Sequence, residues 1–183
     1  TPITAISSAT ETLLGGALLD PEAAQQFVAI VSRHASRLRG LVEDLLELSR
    51  IESREWQLTM LAVDPKPIIA TSLEVVTVAA VQRGATLRTD FDEDLPQLEA
   101  DPRALEQVLI NLLDNAVKYG GLRPIIDLEA RLEEGERVRL VVRDHGPGLP
   151  AQELAHVMEP FYRVEPSRNR ASGGMGLGLS IAR

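Results

Sequence analysis

Apolar positions in roughly the first third of the chain fall at helical spacing. Ile3, Ile6, Thr10, Leu13 and Leu14 form one stripe. Phe27, Val31, His34, Leu38, Leu41, Leu45 and Leu48 then step by fours and threes, the seam of a coiled coil or helical bundle. Between the two stripes, Asp20-Pro21 reads as an N-cap followed by proline at the first helical position. Val28, Ile30, Val42 and Leu46 widen the second stripe beyond what one partner helix covers. The pattern predicts an antiparallel helical hairpin over residues 1–55 that pairs with a second hairpin, most simply as a dimeric four-helix bundle.

From residue 56 the texture changes. Residues 56–63 read as a strand, and Pro65 and Pro67 open a helix that runs to about Arg83 and ends at Gly84. Residues 86–91 alternate like a strand. Asp101-Pro102 starts a helix that continues through Lys118 and closes at Gly120-Gly121. Residues 125–132 and 137–142 look like a strand pair joined by Glu133-Glu134-Gly135-Glu136. Helices and strands mix without regular βαβ alternation, so residues 56–183 are expected to form an α+β sandwich behind the hairpin.

Composition narrows the function. Hydrophobic residues make up 44% of the 183, enough for a sizeable core, but aromatics are only 3%, so Leu, Val, Ile and Ala must fill it. A net charge of -8 argues against nonspecific nucleic-acid or anionic-membrane binding, both of which need a basic face. One local polyanion site with a divalent metal stays compatible with that charge. The chain has no cysteine, which excludes a disulfide framework and a thiolate metal site. No apolar run is long enough to span a bilayer, so any membrane attachment is expected outside these residues.

Three stretches carry chemistry. In NLLDNAVKYG, Asn111 and Asn115 share a helix face with Lys118; amide oxygens suit a hard cation and the ammonium suits phosphate. As surface residues they are equally ordinary. In RDHGPGLP, Asp144 stands at a strand end, where it can accept from an exocyclic amine, and Gly146 and Gly148 let backbone approach a ligand. The same letters also make a plain tight turn. In SGGMGLGLSIAR, Gly174, Gly176 and Gly178 alternate before an apolar helix, an arrangement that offers N–H groups to an anion. A dinucleotide fingerprint is the rival there, but it needs a preceding strand and another glycine spacing. Upstream, Arg163, Arg168 and Arg170 give a polar segment local positive charge, as a lid over phosphates would require.

The order Asn-x-x-x-Asn, Asp-x-Gly-x-Gly, Phe-Tyr-Arg, Gly-x-Gly-x-Gly resembles the ATP-binding domain of sensor histidine kinases, within the gyrase-type (Bergerat) ATPases, over residues 56–183. The hairpin, with RLRGLVEDLLELSRIES, resembles the dimerisation and histidine-phosphotransfer hairpin of the same kinases. The resemblance implies ATP and magnesium as ligands. It implies that Asp144 holds the adenine amino group, with Gly146 and Gly148 shaping the pocket. Asn115 and Asn111 would ligate the metal at the phosphates, where catalysis takes place. Lys118 and Tyr119 would line the nucleotide, and Phe161, Tyr162 and Arg163 would anchor the lid. Gly174, Gly176, Leu177 and Gly178 would cradle the phosphates. The reaction implied is transfer of the γ-phosphoryl group to a His and then to a response-regulator Asp. The partners implied are a second copy, through residues 1–55, and a receiver domain, in the cytoplasmic portion of a membrane-anchored sensor.

In this family the acceptor stands in a run like His-Glu-Leu-Arg-Thr-Pro. Thr1-Pro2 matches the end of that run, which implies an acceptor His upstream of residue 1 and a chain that binds ATP without phosphorylating itself. Thr1 matches a position that helps orient water for dephosphorylating the partner; before a proline it serves equally as an N-cap. His34 reads as a packed seam residue, while His145 falls in the adenine box and His156 near the lid. The closing strands of the family are expected to be missing after SIAR. A gyrase-like ATPase would instead need a Glu where Asn111 stands, and would lack the hairpin. The intact boxes count against a noncatalytic dimeric scaffold with a degenerate nucleotide site, while the expected lack of the acceptor His within these residues keeps that reading open.

Overall fold

The computed structural model describes residues 1–52, 58–135, 137–162 and 178–182. Its four longest helices all begin on one device, a capping side chain followed by proline. Thr1 Oγ1 accepts the Thr4 N–H to start α1 (Pro2–Leu14), and Asp20 accepts the Glu22 and Ala23 N–H groups to start α2 (Pro21–Glu52). Asp64 caps α3 (Pro65–Arg83) and Asp101 caps α4 (Pro102–Tyr119). The carboxylate or hydroxyl satisfies N–H groups that the first turn leaves unpaired, and the proline stands where no N–H is needed.

A 3₁₀ turn, Ala17–Leu19, folds α1 back on α2 as the expected hairpin. The stripe on α1 divides in two. Ala9 and Leu13 are buried and Ile6 half-buried against α2, whereas Ile3, Thr10 and Leu14 are exposed. On α2, Phe27, Val31, His34, Leu38 and Leu41 are half-buried, but Leu45 is exposed with Val28, Val42 and Leu46. The side chain of Leu48 lies outside the described residues. The apolar positions thus divide into two faces, one closed by the hairpin and one left open, in keeping with a stripe wider than one partner helix covers. Helical spacing alone does not tell an inward residue from its neighbour on the adjoining face.

The second unit places α3 and α4 on one face of a sheet. Strands β2 (Thr86–Phe91), β4 (Ile125–Glu133) and β5 (Arg137–Asp144) lie in the order β2-β4-β5. β2 and β4 are parallel, with α4 in the connection between them, and β4 and β5 form an antiparallel hairpin in which Ile126 pairs with Asp144. Ile126, Leu128 and Ala130 alternate toward the helices and are fully buried against Ile69, Val76, Leu109, Leu113 and Val117. Asp127, Glu129 and Arg131 alternate to the other face, as a pleated strand requires.

A separate antiparallel pair joins β1 (Leu61–Val63) to β3 (Leu98–Ala100). The strand expected over residues 56–63 is thus shorter: residues 58–60 are not strand, and Trp56 and Gln57 lie outside the described residues. Its partner β3, three residues long, is too short to show a period, and only the pairing across α3 and β2 reveals it. The short helices α5 (Ala151–Leu154) and α6 (Gly178–Ile181) follow. Among the described residues no helix is long and apolar enough to cross a membrane.

Candidate active site

The site is assembled around α4, a helix apolar on one side and polar on the other. Leu109, Leu113, Ala116 and Val117 are buried in the core, which turns Asn111, Asn115 and Lys118 toward the polar side, each half-buried. Asn111 Nδ2 is buried with no hydrogen-bond partner, while its Oδ1 accepts from Gln107 Nε2 at 3.4 Å. Asn115 has no side-chain hydrogen bond among the described residues. A buried amide donor without a partner is rare and costly, so a ligand oxygen would complete it. The first residue of α6, Gly178, stands over both amides: a Cβ there would lie 3.5 Å from Asn115 Nδ2 and 3.8 Å from Asn111 Cβ. The bare glycine leaves that space open. Turned about its last torsion, either amide offers Oδ1 to a hard cation instead. Among the described residues no cluster of three His, Cys, Asp or Glu side chains could hold a metal ion, so the donors at this spot are neutral amides.

Lys118 does not stand free. Its Nζ is paired with Asp114 one turn earlier on α4, and both are about one-third exposed. Tyr119, the last residue of α4, is exposed.

The end of α4 is set by two glycines. A Cβ on Gly146 would meet Asp144 Oδ1 at 2.7 Å and Gly120 Cα at 2.9 Å; one on Gly120 would meet Pro124 Cβ at 2.9 Å and Asp144 Cβ at 3.4 Å. Only bare backbone allows so close an approach. The turn after β5 is thereby pressed against the end of α4, with Asp144 beside it. Gly146 N–H donates to Asp144 Oδ1 at 2.9 Å, which leaves Oδ2 without a partner among the described residues and exposed to a ligand. Gly148 is needed for a different reason, its left-handed φ of 70°. Asn111 and Gly120 are separated by about 14 Å along the helix axis.

Phe161 and Tyr162 sit in a network of their own after α5. Tyr162 donates its hydroxyl to Glu153 and its ring stacks at a tilt on His156, centroids 5.4 Å apart; His156 Nδ1 is 2.8 Å from Glu159 Oε1. The Glu153 carboxylate holds the Tyr162 phenol above its usual range. Phe161 has a φ of 67° and is 54% exposed, an unusual backbone for a bulky residue. Arg163, Gly174, Gly176 and Leu177, with Arg168 and Arg170, lie outside the described residues. Thr1 Oγ1 is used as the cap of α1, the local alternative raised by its place before Pro2. His34 is half-buried on α2, with Nδ1 buried and unpartnered. Motif reading passed over Gly120, whose role depends on what crosses it, and the pairing of His145 with Asp127, which are 18 residues apart.

A helical hairpin is followed by an α+β unit in which two amides stand on α4 and a carboxylate at the end of β5 lies beside the end of that helix. A family model for the His Kinase A (phospho-acceptor) domain matches residues 1–54, and one for the histidine kinase-, DNA gyrase B-, and HSP90-like ATPase matches residues 100–183. The sensor histidine kinase WalK of Bacillus subtilis is 33% identical over 187 residues, covering 100% of this chain and 30% of that protein. The sensor-like histidine kinase SenX3 of Mycobacterium tuberculosis is 33% identical over 183 residues, covering 100% of this chain and 44% of that protein. Among solved structures, histidine kinase ThkA in complex with the response regulator protein TrrA superposes with a TM-score of 0.74 at 25% identity, over 100% of this chain and 49% of that one. Full-length ShkA in complex with AMPPNP gives a TM-score of 0.72 at 27% identity, over 99% of this chain and 40% of that one. The chain has the two domains of a two-component sensor histidine kinase core, the phospho-acceptor domain and the histidine kinase-type ATPase domain. It spans less than half the length of the two curated relatives.

Proposed function

We propose that residues 56–183 bind ATP with magnesium along α4, and that residues 1–55 form the dimerisation and phosphotransfer hairpin on which the γ-phosphoryl group is received. The observation that carries this reading is the position of Asp144 beside Gly120 at the end of α4, with the Asn111–Asn115 amides under Gly178 further back along the same helix. Asp144 Oδ2 accepts the exocyclic amine of adenine. Asn111 and Asn115 hold the metal and the phosphates, and Lys118 exchanges Asp114 for a phosphate oxygen. Magnesium, when bound, neutralises charge on the phosphates during transfer. The nucleotide complex of ShkA and the regulator complex of ThkA support ATP as donor and a receiver-domain Asp as the final acceptor. ATP as donor implies the cytoplasm, with any membrane anchor in other segments of the sensor.

The test mixes this chain with a hairpin bearing the acceptor His, γ-labelled ATP and magnesium. Label on the histidine, passed on to a receiver domain, is the expected result. Release of free phosphate alone would indicate a gyrase-type ATPase instead. In parallel titrations, Asn115→Ala should weaken magnesium-dependent binding more than metal-free binding; equal losses would remove Asn115 from the metal site.

A further inference from the structure

The residue after Asp144 is tied down in a way the nucleotide reading does not use. His145 N–H donates to Ile125 O at 3.2 Å, which carries the β4–β5 pairing one residue past β5. Its ring turns over β4, and Nε2 lies 2.6 Å from Asp127 Oδ2. Asp127 is the less exposed of the two, its side chain 20% accessible against 47% for His145. In the sheet register Asp127 pairs with Arg88 on β2 and with Arg143 on β5, on the face away from the helices. The His145 hydrogen bond, and after it the charges of His145, Arg88 and Arg143, hold the Asp127 carboxyl below its usual range against a smaller cost of burial. Gly146, next along, is fixed by its N–H to Asp144 and its contact with Gly120. Asp144 is thus the last strand residue before a turn anchored twice, once to β4 and once to α4.

We propose that the His145–Asp127 contact is a latch that orients the Asp144 carboxylate, making His145 and Asp127 positioning residues for nucleotide binding. The inference rests on the adenine reading of Asp144. Nε2–H donates to Asp127 whether the ring is neutral or protonated, so the latch forms in both states.

The experiment measures ATP affinity of this chain for the parent, His145→Ala, His145→Gln, Asp127→Asn and Asp144→Asn. His145→Ala should lose about tenfold, the size of one charge-assisted hydrogen bond. His145→Gln, which keeps an N–H donor, should recover most of that loss. Asp127→Asn should lose affinity as His145→Ala does, and adding His145→Ala to it should cost nothing more. If His145→Ala binds within about twofold of the parent while Asp144→Asn loses ATP, the latch is overturned and the adenine site stands. If Asp144→Asn binds ATP as the parent does, the adenine reading falls and the latch with it.

Discussion

Gly120 and Gly146 do more for the site than their lack of a side chain suggests. Their backbones touch, and that contact sets Asp144 at the end of α4. Gly146→Ala brings a methyl against Gly120 Cα, which cannot move without moving the helix end. The expected cost is about 1–3 kcal/mol in denaturant unfolding, the range for overpacking. A larger relative loss should appear in nucleotide affinity, because Asp144 is displaced with the turn. Unchanged unfolding together with unchanged affinity would show that the turn has room to spare. The amides of Asn111 and Asn115 act differently: their position is a consequence of helix phase, fixed once Leu109, Leu113 and Val117 face the core.

Among the elements, α4 carries most of the function, and its start is secured by a carboxylate that accepts three hydrogen bonds. Asp101 accepts the Thr59 N–H as well as those of Arg103 and Ala104, so it caps α4 and ties it to the residues leading into β1. The Thr59 bond foremost, then the Ala104 and Arg103 N–H groups and the Arg103 charge, hold its pKa below the ordinary 3.8. Asp92 is lowered likewise, by the Leu132 N–H first and then by Arg131. A carboxylate depressed on folding contributes stability that is complete above its ordinary pKa and is lost as pH falls through the lowered folded value. The thermal midpoint should therefore hold down to about pH 4 and drop below it. Asp101→Asn can still cap but cannot titrate, so its midpoint should fall less steeply in that acid range. An identical slope would mean that Asp101 takes no part in acid unfolding.

Over the whole molecule, the hairpin is the half with unfinished business. Leu14 is 76% exposed and Val28 54% exposed, each on a helix that already buries another face. A second hairpin covers such surfaces in a four-helix bundle. Leu14→Glu combined with Val28→Glu should shift the chain from dimer to monomer in sedimentation equilibrium while ATP binding in the second unit persists. A parent that sediments as a monomer, or a variant that stays dimeric, would place the interface elsewhere.

Local chemistry was readable from the chain alone. Cap-plus-proline pairs announce helix starts at Asp20 and Asp101, Gly84 announces a helix end, and alternation marks β2, β4 and β5, because each depends on residues a few places apart. The order of the boxes was readable for the same reason, and with it the family. Pairings across long separations were not. The division of the α1 stripe, the β1–β3 pair, the approach of Gly120 to Gly146, and the reach of His145 to Asp127 arise from atoms brought together by burial of the α3, α4 and β4 core. A periodic pattern shows that a residue has a face. What meets that face depends on how the elements pack, and packing is decided by the core as a whole.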